Sequence, residues 1–196
     1  MSFEQDEGLK VAVGLRAVVP CGIFCVPGAT MTSTSRGHMS EPSPAEANPE
    51  GYYTFVVELL GGRRILRRTV TSDVEAHEVV ERGIPSVAVQ KLVEAVITLP
   101  GDMVLGAIGV SRRSYARRKA APRVLLGMEE SGRLWRFAEI LGHATRVFGS
   151  QERAERWLTD PALGVDKRKP IDLLRTPPGA RMVADYLTRI EHGVYT

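Results

Sequence analysis

Cysteine is nearly missing from this chain: Cys21 and Cys25 are the two in 196 residues. Spaced C-x-x-x-C, with no further cysteine and no histidine pair beside them, they supply neither a disulfide framework nor a zinc site. No stretch offers the roughly 18 uninterrupted apolar residues of a membrane span. The nearest, VAVGLRAVVPCGIFCVPGAT, is broken by Arg16, Pro20 and Pro27. Glu4, Asp6 and Glu7 precede it, where a secretory leader carries basic residues. The expectation is a cytoplasmic chain with no membrane partner. Catalytic patterns are lacking too. HEVVE at 77–81 has no second histidine to complete a zinc motif and reads as an acidic helix face. Neither Gly61–Gly62 nor PPG at 177–179 is followed by the Lys-Ser/Thr of a phosphate loop. With no Ser/His/Asp or Cys/His arrangement, the reading is a non-enzyme without cofactor or metal.

Acids are missing from one place in particular. Residues 110–122 read VSRRSYARRKAAP, five cations around one tyrosine and no carboxylate. Net charge is −3 over residues 1–50, zero over 51–100, +5 over 101–124 and +1 over 125–196, giving the formal +3 of the chain. A concentrated excess of this kind is the footprint of a polyanion partner. A helix that is basic only for solubility mixes Glu with Lys at i,i+4, whereas here Arg113 and Arg117 stand four apart and repel. The best candidates to enter a major groove are Ser111, Arg112, Arg113 and Ser114, at a helix start. Arg117, Arg118 and Lys119 are candidates to hold phosphate.

The surrounding pattern is helical, and the predicted class is all-α. TMTSTSRGHMSEPSPAEANPEG is poor in large apolar groups, so residues 1–50 are expected to be a poorly ordered tail. Met31 and Met39 within it are alternative candidates for the translation start. From residue 52, YYTFVVELLGG is a short apolar run read as helix. TSDVEAHEVVERG has Ser72 or Asp73 as cap, with Val74, His77 (or Glu78), Val79 and Val80 predicted inward. PSVAVQKLVEAV places Pro85 at the first helical position. Pro100–Ile108 and Ser111–Ala120, joined by a Gly109 turn, make a helix-turn-helix with Val110 and Tyr115 facing inward. Beyond residue 125 come SGRLWRFAEILGHATRVFG, SQERAERWLTDPALG, KPIDLLRT and PPGARMVADYLTRIEH. In these helices Phe137, Phe148 and Trp157 fall at core spacing. Thr176 caps the last helix, and Gly193 closes it. The expected organisation is a tail over 1–50, a helix-turn-helix domain over 51–124 and a small helical domain over 125–196.

Six runs in order carry a family likeness: SRRSYARRK, ESGRLWRFAEI, A-x-x-VFG, A-x-x-WL, PIDLL-x-T-x-x-G and L-x-RIEHGVYT. Together they resemble the Xre/MbcA/ParS antitoxins, partners of RES-type toxins, over roughly residues 73–196. One departure stands in PALGVDKRKPIDLL, where Val165 follows Gly164 in place of a second glycine and a basic triplet precedes Pro170. The resemblance implies a homodimer with an Xre-like helix-turn-helix region and a helical toxin-binding domain. It implies an antitoxin that covers the cofactor pocket of an NAD-consuming RES toxin and binds operator DNA to repress its own operon. His192, Gly193, Val194, Tyr195 and Thr196 would be the toxin-binding end. Two other classes stay open: a plain dimeric helix-turn-helix transcription factor, and an interaction protein whose helix-turn-helix no longer touches DNA.

Overall fold

Repeated apolar spacings of three and four require helices that share a core, and the computed structural model, which describes residues 49–194, shows them. In order they are α1 (Pro49–Leu59), α2 (Arg63–Leu66), α3 (Asp73–Arg82), α4 (Val87–Ala95), α5 (Gly101–Ala107) and α6 (Arg112–Ala120). After these come α7 (Met128–Phe148), α8 (Gln151–Thr159), a 3-10 turn (Leu163–Val165), α9 (Pro170–Leu173) and α10 (Pro177–Glu191). Among the described residues no strand occurs, only the isolated bridges Pro85–Leu125 and Ala162–Arg168. The architecture is all-α. The cysteine pair, the tail before residue 49, Met31, Met39, Tyr195 and Thr196 lie outside the described residues.

The long helix α7 organises the rest. Its apolar stripe, Leu134, Phe137, Ala138, Leu141 and Ala144, is buried, and α1, α3, α8 and α10 pack around it. Leu134, Phe137 and Leu141 each contribute about 1.5–3 kcal/mol when removed from water. Tyr53, Val56 and Leu60 of α1 close one side, so the YYTFVVELL run is a helix. Val183 and Leu187 of α10 close another. Phe148 and Trp157 are half-buried, with ring centroids 5.2 Å apart, and seat α8 on the end of α7. α7 begins just after residue 124 and contributes to packing on both sides of that point.

Two expectations need correction. The inward stripe of α3 is Ala76 and Val79 with Val80 beside them; Val74 is 68% exposed, and His77 is exposed as well. Ser72 caps the helix by accepting from the Glu75 amide. At about 100° per residue Val74 then falls roughly 160° around from Ala76. The first turn presents its acids and Val74 to water. Pro85 does not open α4, which begins at Val87. Its neighbours are occupied otherwise: the Ser86 amide donates to the Val124 carbonyl and the Val87 amide to the Pro122 carbonyl.

The loop that departs from the family pattern is tightly built. Val165 is buried, Asp166 and Lys167 are both left-handed (φ 57), and the Ala162 amide donates to the Arg168 carbonyl at 3.0 Å. In α10, Thr176 caps by accepting from the Gly179 amide. Gly179 is required there: a Cβ would come within 2.3 Å of the Leu173 carbonyl oxygen, a backbone atom that cannot swing aside.

Candidate functional site

The basic helix is set by its turn. The Gly109 amide donates to the Gly106 carbonyl and the Val110 amide to the Leu105 carbonyl, with Gly109 left-handed (φ 69) between them. This is a Schellman stop for α5, with Val110 buried against the core as its apolar plug. A side chain at 109 would also press on Arg133, whose Nε donates to the Ile108 carbonyl at 2.9 Å. α7 therefore clasps the turn itself. Ser111 then caps α6, accepting from the Ser114 amide at 3.1 Å, and the two hydroxyls lie 3.0 Å apart. Tyr115 packs half-buried on the core. The far end of α6 is also fastened: the Ser86 hydroxyl donates to the Ala121 carbonyl, and the Leu126 amide donates to the Ile84 carbonyl. Ser131, buried on α7, accepts from the Ile84 amide. These bonds fix the pose of α6.

Its five cations divide into three kinds. The Arg112 guanidinium, with its side chain 80% exposed, grips Asp102 of α5 through two nitrogens, and this pair holds it more firmly protonated. Exposed pairs of this kind are worth little, so exchange for another anion costs little. Arg118 turns inward, its side chain 12% exposed, and pairs with Glu130 of α7. Arg113, Arg117 and Lys119 are exposed and have no acid partner among the described residues. The acids missing from the run thus come from α5 and α7, where inspection of the run alone could not find them.

The chain's other end is anchored as well. Glu191, in the last turn of α10, accepts from Arg146 at 2.9 Å and pairs with the His143 ring at 2.9 Å, tying α10 to α7. Burial holds the His143 imidazole below its usual range against the pull of Glu191. α10 closes on a second Schellman stop: the Gly193 amide donates to the Ile190 carbonyl and the Val194 amide to the Arg189 carbonyl. His192, Gly193 and Val194 are exposed, and an apolar Val194 in the open at the end of a firmly seated helix is a ready contact.

One functional support escaped the sequence reading. Glu155 of α8 is fully buried, and its carboxylate accepts from the Ile97, Thr98 and Leu99 amides, the Thr98 hydroxyl and the Gln151 amide group. It organises the segment that leads into α5. Its signal was there: Gln151, Ala154, Glu155 and Leu158 share one inward face, and a carboxylate among them needs buried donors. Burial alone would raise its pKa; the donated hydrogen bonds outweigh that and hold the carboxyl below its usual range. Replacing Glu155 by Gln, which turns an amide donor toward those amides, is expected to cost about 2 kcal/mol in denaturant unfolding at pH 7. Because the folded pKa is depressed, that contribution is present above the unfolded carboxylate pKa and fades as pH falls through the folded one.

Glu139 behaves in the opposite way. Burial, with Asp73 nearby and against the hydrogen bond from the Trp135 indole, raises its carboxyl to about 7. The unfolded chain releases this proton from near 4.5 while the fold retains it, so wild-type stability falls as pH rises from 4.5 toward 7. Glu139→Gln removes this loss. Its stability advantage over wild type should grow by on the order of 3 kcal/mol between pH 4.5 and 8, read from urea midpoints across that range.

Comparison with known proteins matches this geometry. The family model for the antitoxin Xre-like helix-turn-helix domain covers residues 75–139, and that for the antitoxin Xre/MbcA/ParS C-terminal toxin-binding domain covers residues 143–193. The two models meet inside α7. Antitoxin Xre of Yersinia enterocolitica is 35% identical over 100 residues, 50% of this chain and 67% of that protein. Antitoxin Xre of Photorhabdus laumondii is 31% identical over 119 residues, 60% of this chain and 79% of that one. Antitoxin Xre of Pseudomonas putida is 29% identical over 126 residues, 63% of this chain and 76% of its own length. Among the described residues no helix is long and apolar enough to cross a membrane. A helix-turn-helix seated by α7, followed on the same helix by a toxin-binding region, places the chain in the Xre/MbcA/ParS family of antitoxins.

Proposed function

We propose that this chain is a non-catalytic, cytoplasmic antitoxin that neutralises an RES-type, NAD-consuming toxin by occlusion and represses its own operon as a homodimer. The observation that carries the reading is that the fold anchors two exposed surfaces, each by its own contacts. α6 presents Arg113, Arg117 and Lys119 without acid partners, and α10 delivers His192–Val194 to solvent from a helix end fixed by Glu191. Ser111, Arg112, Arg113 and Ser114 stand at the helix start, where base edges are read; Arg117 and Lys119 face phosphate. Arg118 contributes through its grip on Glu130, which holds α6 to α7. One recognition helix covers too few base pairs for specificity, so repression requires two copies on adjacent half-sites. His192 through Thr196 enter the toxin's cofactor cleft and compete with the nucleotide by mass action.

Co-expression of the chain with its cognate RES-type toxin tests the reading. Growth and cellular NAD should be restored and the two chains should co-purify; growth arrest despite equal expression would refute neutralisation.

A further inference from the structure

Four more unpaired guanidiniums converge away from α6. Arg64 and Arg67, around α2, Arg82, in the last turn of α3, and Arg123, just beyond α6, line one open groove of about 540 Å³. All four are exposed and have no acid partner among the described residues. Arg68, on the same rim, is already taken by Glu78. The floor is apolar, with Ile65 and Leu125 accessible within it. These arginines come from three separate segments of the chain, so the convergence is a product of the fold.

The groove borders the segment that leaves α6. Its wall at 122–125 is the strand of chain that leaves α6, and that strand is bonded to the start of α4 through Ser86 and Val87. Arg123 stands three residues beyond the end of α6 and is exposed, as Arg113 and Arg117 are. We propose that the groove is a second phosphate-binding track for the same duplex, which adds affinity without reading sequence; this rests on the reading that α6 engages DNA. Arginine suits the task because its planar fork pairs two phosphate oxygens at once. The apolar floor suits deoxyribose, whose face carries no charge.

The salt dependence of binding separates this track from α6. The probe is a duplex carrying the region upstream of the chain's own reading frame, against a scrambled duplex of equal length. Arg64→Gln/Arg82→Gln should lower the magnitude of the slope of log K against log salt by roughly 2 per bound chain, each lost phosphate contact removing about 0.9. The preference for the upstream duplex over the scrambled one should stay as in wild type. Both side chains are exposed, so an unchanged thermal midpoint confirms that the fold is intact. A slope equal to wild type overturns the track alone. A slope equal to wild type together with lost toxin co-purification overturns it too, and assigns the groove to an acidic protein surface. Wild-type chain that binds neither duplex with salt dependence overturns both the track and the reading of α6.

Discussion

Deletion of residues 193–196 is expected to abolish protection against the toxin while operator affinity stays within about twofold of the intact chain. The fold supports this independence. α10 ends on hydrogen bonds made by residues up to Val194, and its last turn is fastened from the side by Arg146 and His143 acting on Glu191. Removing the residues beyond His192 costs the Schellman bonds at a surface end and leaves Val183 and Leu187, the buried anchors of α10, in place. Stability should therefore drop by no more than roughly 1 kcal/mol. On the occlusion reading, protection is lost because the residues that compete for the cleft are gone. The measurement pairs growth and NAD content on co-expression with a gel-shift titration of the same deletion. Protection that survives the deletion would favour a plain dimeric transcription factor whose C-terminal helices only dimerise.

The mirror-image change is Arg113→Ala with Arg117→Ala. A bidentate arginine–guanine pair is worth about 1–3 kcal/mol of discrimination, and a dimer loses it at both half-sites, so operator affinity should fall by roughly 10²–10⁴-fold. If Arg117 holds phosphate, the salt slope should also shrink by about 2 for the dimer. Neither side chain has an acid partner within the described fold, and their mutual repulsion along α6 disappears in the variant, so stability should hold or rise slightly. Toxin protection should be unchanged. DNA affinity equal to wild type would instead mark an interaction protein that has kept the helix-turn-helix as a scaffold.

The sequence made some of this legible and hid the rest for identifiable reasons. Local signals were readable: Ser72, Ser111 and Thr176 as caps, Gly109 and Gly193 as stops, and the apolar period of α7, because each is decided within about one or two turns of chain. α6 was readable as a basic helix for the same reason. Asp102 and Glu130, which engage Arg112 and Arg118, lie 10 and 12 residues away on other helices, so the run looked more uniformly free than it is. Glu155 reaches amides 56–58 residues upstream, a separation that no periodicity encodes. Val74 misled because one apolar residue in a helix's first turn says little about which face is buried. The arginine groove draws on three separate segments and had no signal in any one of them.

The central claim is that the end of the chain occupies the toxin's cofactor cleft. A photo-crosslinking residue placed at Tyr195, in the otherwise intact complex with the toxin, tests it most directly. Mass spectrometry should find position 195 joined to residues lining the nucleotide pocket, and excess NAD should reduce the yield. A complex that stays assembled and active as antitoxin, with crosslinks only outside that pocket or none at all, would contradict the account.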